Sequence, residues 1–160
     1  MAHGIHPNYA SKHEARHAPA MHKGMVIKTN VNQRYATTAI SSWMFKEFAK
    51  KAGVPVQEFV VRQDCGCGST IGPILSARTG MRTVDVGAPQ LSMHSVREMM
   101  GTEDVKHCVR HLRSAFAYYS AVDASFSGPD PKVNGVWKAV GPSAVAASRL
   151  TANYYDQFSA

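Results

Sequence analysis

An α/β fold, with a central parallel or mixed sheet flanked by helices, is predicted by three features of the sequence. Short runs rich in Val, Ile and Phe alternate with longer stretches of helical period. Gly and Pro fall between them. The length, 160 residues, suits about one domain with a core of its own.

Taken in order, residues 1–24 read as irregular, because Pro7, Asn8, Pro19 and Gly24 interrupt any period. Residues 25–28 read as a short strand. Residues 39–52 read as a helix: Ile40, Trp43, Met44, Phe48 and Lys51 follow a 3.6 period, Ser41 or Ser42 can cap the start, Gly53 stands at the C-cap, and Pro55 blocks continuation. Residues 56–62 read as a buried strand, 64–70 as a small-residue turn, and 71–79 as a helix with Pro73 in its first turn and Gly80 after its end. Residues 82–86 form the next strand, 87–92 a loop, 96–100 a helical turn, and 103–120 the longest helix. Composition changes after Val122. Residues 123–141 read as a loop or tail, and 143–158 as a short terminal helix. The expected organisation is a domain over 1–122 and a separate tail over 123–160. Trp43, Phe48, Phe59, Val61, Ile74, Leu75, Val84 and Leu112 are the expected core.

Composition bounds the function classes. With 44% hydrophobic and 18% charged residues, the chain reads as soluble and globular. No apolar run approaches the ~20 residues of a membrane span, and the polar, His-rich start has no signal-peptide h-region. Three cysteines do not make a disulfide framework, which points to a reducing, cytoplasmic setting. The net charge of +7 comes from scattered Lys and Arg, with Lys50-Lys51 the only adjacent pair, so a solvated basic surface is favoured over nucleic-acid binding.

Several clusters carry candidate chemistry. His3-x-x-His6 and His13-x-x-x-His17 have chelating spacing if helical, but Pro7 and Pro19 oppose a helix there. Cys65-Gly-Cys67 lacks the second pair of a structural zinc site and reads as small buried thiols. His107, Cys108 and His111 lie one turn apart and read as solvent-facing. Asp64 to Pro73 runs from a strand through a glycine-rich turn into a helix, leaving N–H groups that can receive a carbonyl or carboxylate; a plain tight turn fits equally well. His94 lies in the segment after a strand, where α/β sheets bind ligands.

Together these segments resemble the aspartyl aminopeptidases of the M18 family. The resemblance rests on residues 1–9 (MAHGIHPNY), 22–24, 26–28, 33–37 (QRYAT), 61–64 (VRQD), 68–75 (GSTIGPIL) and 87–98 (GAPQLSMHSVRE). It covers about residues 1–120. What it implies is the C-terminal half of a zinc-peptidase proteolytic domain, in an enzyme that removes N-terminal Asp or Glu and assembles as a dodecamer. His94 matches the family's last metal ligand. Lys28 and Tyr35 match residues that bind the acidic side chain, His3 and His6 a pair near the active site and subunit contacts, and the turn with Gly68, Ser69, Thr70 and Gly72 a stretch lining the substrate pocket. A Lys ammonium and a Tyr hydroxyl suit one carboxylate. Two zinc ions would polarise the scissile carbonyl and activate water. The aspartate ligand that precedes Met-Ala-His in the family, its earlier ligands and its glutamate base are absent here, so one zinc ligand is expected in this chain. The expected partners are the remainder of the enzyme, sister subunits or a larger assembly, with no nucleic acid and no membrane. The alternative is a catalytically inactive, truncated paralogue serving as a structural or binding subunit.

Overall fold

The computed structural model describes residues 1–125 throughout and the backbone of 126–127, 132–133 and 136–137. The expected helix over 143–158 lies outside the described residues. The chain divides into two compact units, residues 1–117 and 118–160.

The first unit opens with β1 (Ala2–His3) and a 3-10 stretch over Pro7–Lys12. The segment expected to be irregular is therefore partly ordered. Its two-residue strand is too short to show a period, and it exists only because it pairs in parallel with a strand almost ninety residues later. Next come β2 (Met25–Thr29), α1 (Ala39–Ala52), β3 (Val56–Val60) and α2 (Gly72–Thr79). Then follow β4 (Val86–Gly87), β5 (Pro89–Leu91), β6 (Met99–Met100) and α3 (Thr102–Ser127), whose last turns enter the second unit. In that second unit β7 (Lys132–Val133) pairs antiparallel with β8 (Val136–Trp137).

The expected mixed sheet is present, in the order β3-β2-β4, with β3 parallel and β4 antiparallel to β2. Val26 and Ile27 at its centre are fully buried. A second small sheet, β1-β5-β6, uses residues read as loop and helical turn. The expected strand over 82–86 shrinks to Val86–Gly87.

Helix α1 has the expected bounds but a different cap. Thr38 Oγ1 accepts from Ser41 N (3.2 Å) while Ser41 Oγ accepts from Thr38 N (2.9 Å), a reciprocal capping box. Gly53, at φ 60°, ends the helix in the left-handed region. The buried face is Ser41, Met44, Phe45, Phe48 and Ala49, which puts Trp43 off it at 39% exposure. Of the expected core, Phe48 and Phe59 are buried and Val61 and Val84 half-buried, but Ile74, Leu75 and Leu112 are exposed. Helix α3 runs on through Asp123 to Ser127, where a loop was expected, because no breaker occurs before Gly128-Pro129.

The inner face of α3 is polar. His111, wholly buried, donates from Nε2 to the Phe45 carbonyl (2.8 Å) and lies 3.8 Å from the Phe45 ring, centroid to centroid. Ser114 donates to the Phe48 carbonyl (2.8 Å), and Arg110 to the orphan Ala52 carbonyl at the end of α1 (2.7 Å). Asp104, also wholly buried, accepts from the backbone N–H of His22 (2.6 Å) and Gly24 (2.8 Å), fixing the loop before β2 to the first turn of α3. Gly24, at φ 86°, admits no side chain, since a Cβ would overlap the Pro55 carbonyl. The outer face of α3 carries Val105, Val109, Leu112 and Phe116, spaced four, three and four residues apart and 53%, 62%, 41% and 85% exposed.

Candidate functional site

The ends of β1, β2 and β5 and the turn after β3 enclose a cavity of about 990 Å³. Its floor is Phe59, packed with Ala2 and Val26. The strands dictate what reaches it. On β2 the side chains alternate, so Lys28 follows Val26 onto the cavity side and pairs in register with Phe59. The Lys28 N–H is held by the Asp85 carbonyl (2.9 Å). On β1, His3 pairs with Gln90 of β5, and the chain leaving β5 carries His94. This is the C-terminal edge of parallel-paired strands, where open α/β sheets place ligands.

His3, His6, Lys28, Tyr35, Gly68, Ser69, Thr70 and His94 all line this one cavity although ninety residues separate the first from the last. Gly72 does not. It is buried against Asp85, where a Cβ would overlap the carboxylate. Its lack of a side chain thus answers a packing need. Two amides of the turn that were expected to be free are occupied: Thr70 N donates to the Arg34 carbonyl (3.1 Å) and Gly72 N to Thr70 Oγ1 (3.2 Å).

Lys28 is half-buried. Its ammonium donates to the Met1 carbonyl (3.2 Å) and sits 4.9 Å from the centre of the Tyr35 ring. Burial lowers its pKa below the ordinary lysine value, and Asp85 and Cys67 oppose that shift. The Asp85 carboxylate is itself occupied by the Ala36 N–H (2.7 Å). Tyr35 Oη lies 3.2 Å from Cys67 Sγ, and burial followed by that contact raises the phenol pKa. The result is a partly desolvated cation beside a hydroxyl, a pair that complements an incoming carboxylate.

The histidines divide. Burial, then the neighbouring His94, lowers the pKa of His3, which favours its neutral form. His94 has φ 70°, a left-handed conformation uncommon for histidine, and its N–H donates to Glu98 Oε1 (2.6 Å), a bond that lowers the Glu98 pKa. Two residues earlier Ser92 is also left-handed, at φ 58°. Both left-handed residues line the cavity. His13, unremarked in the sequence beyond its spacing to His17, also lines the cavity and meets Phe59 edge-on at 5.5 Å. Its segment bridges the edge of β3 through Val61, a pairing no local signal announces. His17 instead pairs with Glu14 and Glu58, and His6 Nδ1 accepts from Asn8 N. His107 lies 3.5 Å from the Asp104 carboxylate and His111 is in the core, where solvent-facing side chains were expected. Cys65 and Cys67 are rim residues, half-buried, not core thiols.

Among the described residues no group of three or more His, Cys, Asp or Glu side chains can hold a metal ion. The donor set of the described residues therefore does not fit a complete zinc site, and His94 offers a single imidazole.

Residues 1–116 match the family model described as aminopeptidase I zinc metalloprotease (M18). The chain is similar to a probable aspartyl aminopeptidase of Ricinus communis, 58% identical over 127 residues, which are 79% of this chain and 26% of that protein. It also resembles a chain in the cryo-EM structure of the Ape4 and Nbr1 complex, with a TM-score of 0.75 and 50% identity over 77% of this chain and 23% of the other. The S. cerevesiae mApe1 dodecamer is similar too, with a TM-score of 0.70 and 32% identity over 79% and 27% of the two chains. The chain spans about a quarter of the length of the curated relative it matches.

Proposed function

The chain belongs to the M18 family of aminopeptidase I zinc metalloproteases, and from that membership we propose that it supplies the acidic-side-chain pocket and one metal ligand of an aminopeptidase that removes N-terminal Asp or Glu from peptides. The observation that carries this reading is the cavity that brings Lys28, Tyr35, His3 and His94 together. Lys28 and Tyr35 bind and orient the substrate carboxylate: the ammonium gains a charged partner where burial now disfavours it, and the phenol adds a hydrogen bond. A neutral side chain at that position would leave the half-buried ammonium without a charged partner, which is the basis of selectivity.

Zinc, when bound, supplies the polarised carbonyl and activated water of such enzymes. His94 is its ligand in this chain, and the other ligands come from the part of the relatives that this chain does not span or from a partner chain. No hydrolytic step is assigned to the residues described here. The enzyme acts as an oligomer, a reading supported by its likeness to a dodecameric chain, and works in the cytoplasm. In this reading residues 1–122 are the catalytic-domain segment and 123–160 an appended tail, joined to it within α3.

The absence of a three-ligand cluster among the described residues also favours a second reading, a non-catalytic subunit that retains the pocket. One experiment separates them. The native assembly containing this chain is assayed for release of Asp from an Asp-peptide, with and without chelator. Chelator-sensitive release, abolished by His94→Ala, supports the peptidase. An inactive assembly that still binds an Asp-peptide supports the binding subunit.

A further inference from the structure

We propose that Cys65 and Cys67 are a peroxide-oxidisable thiol pair at the rim of the cavity, closing reversibly to an intramolecular disulfide. Both thiols are free and line the cavity with one residue between them. That residue, Gly66, has no atom within 4 Å of the place a Cβ would take. Residues 62–71 belong to no helix or strand. The backbone can thus turn to bring the two sulfurs together without breaking regular structure.

The two sulfurs have different surroundings. Cys67 Sγ lies 3.2 Å from the Tyr35 hydroxyl and close enough to Lys28 to act on its charge. Electropositive surroundings, such as a nearby ammonium, are those in which reactive cysteines occur. Cys65 Sγ points instead at Asp64, at 3.8 Å. Cys67 is therefore the sulfur that reacts first, and Cys65 resolves it. The Cys67 thiolate attacks one oxygen of hydrogen peroxide; the O–O bond breaks and hydroxide leaves, giving a sulfenic acid. The Cys65 thiolate then attacks the Cys67 sulfur, the S–O bond breaks, and a second hydroxide departs. The two thiol protons join the two hydroxides, so two thiols and one peroxide become one disulfide and two waters. A ring this small is strained and easily reduced, which suits a regulatory bond and not a structural one. In it Cys67 no longer offers a thiol to Tyr35, so the redox state changes the polarity beside Lys28. Cys108 is the internal control, because burial and Asp104 push its thiol pKa up.

The test reads mass and needs no enzymatic activity, so it stands or falls apart from the peptidase reading. Trypsin cuts after Arg62 and Arg78, which leaves Cys65 and Cys67 alone in one peptide, while cuts after Lys106 and Arg110 isolate Cys108. The purified protein is exposed to hydrogen peroxide, alkylated and digested. The expected result is a 63–78 peptide lighter by two hydrogens and free of alkyl groups, both alkylation sites returning after dithiothreitol. Cys108 should stay alkylated and oxidise about tenfold more slowly or less. In the Cys65→Ser variant, Cys67 should be trapped as a sulfenic acid by a cyclic 1,3-diketone; in Cys67→Ser, Cys65 should not. A 63–78 peptide that takes up two alkyl groups after peroxide would overturn the proposal. So would a disulfide joining two chains, or a diketone adduct on Cys65 or Cys108 with none on Cys67.

Discussion

Replacing Asp104 with Ala removes a wholly buried carboxylate that accepts from the N–H groups of His22 and Gly24. Both donors stay behind without a partner. A buried donor left unpaired costs roughly 1–3 kcal/mol, a penalty that applies in full to the buried Gly24 N–H and in part to the partly buried His22 N–H. An acidic residue lost from the first turn of α3 adds about 0.3–1 kcal/mol. The sum is on the order of 4 kcal/mol, a large share of the ~5–15 kcal/mol that holds a typical domain. With a urea m-value of about 2 kcal/mol per molar, the unfolding midpoint should fall by ~2 M. Asp104→Asn keeps one acceptor oxygen and should lose about half as much. Urea unfolding followed by helix circular dichroism gives the global change, and hydrogen exchange at the His22 and Gly24 amides shows whether the loss begins at this clamp. A fall below ~1 kcal/mol for the alanine variant, or unchanged exchange at those two amides, would refute the reasoning.

The acid limb of stability should be governed by the wholly buried His111 imidazole, with smaller contributions from His3 and His13. Burial lowers the pKa of His111, His3 and His13 below the ordinary 6.5, so the unfolded chain binds protons first. The stabilisation is present above pH 6.5 and lost as pH falls through the lowered values, and His111→Gln should flatten the pH dependence of the unfolding midpoint between pH 7 and 5. Lys28→Met should weaken binding of peptides with N-terminal Asp by about 30- to 1000-fold, equivalent to ~2–4 kcal/mol, and affect neutral peptides far less, as calorimetry would show. Gly72→Ala should lower the melting temperature, since its methyl meets the Asp85 carboxylate; an unchanged melting temperature with weakened ligand binding would return Gly72 to the pocket.

Local signals carried the elements and failed at long-range pairings. Helix α1 was legible to its ends because Gly53 and Pro55 punctuate it, yet its cap was misplaced, since Thr38 and three serine or threonine neighbours compete within one turn. Trp43, Ile74, Leu75 and Leu112 were assigned to the core on hydrophobicity, which does not say which side of an element is covered. The buried polar groups ran the other way. Asp104 and His111 have partners more than sixty residues distant, and no local pattern announces them. For the candidate site, spacing alone gave only a weak turn and a loop histidine. The likeness to known sequences is what joined Lys28, Tyr35 and His94, and it could not foresee that Gly72 faces Asp85 or that His94 is left-handed.

The outer row of α3 bears on how the chain behaves as a colloid. Val105, Val109, Leu112 and Phe116 present a narrow oily band on a molecule of net charge +7. In dilute buffer that charge keeps copies apart. Added salt shortens the reach of the repulsion from roughly 30 Å at 0.01 M to about 3 Å at 1 M while leaving the attraction between oily bands intact. Preparations of this chain should therefore cloud as salt is raised and clear on dilution, and Phe116→Ser should widen the range in which they stay clear.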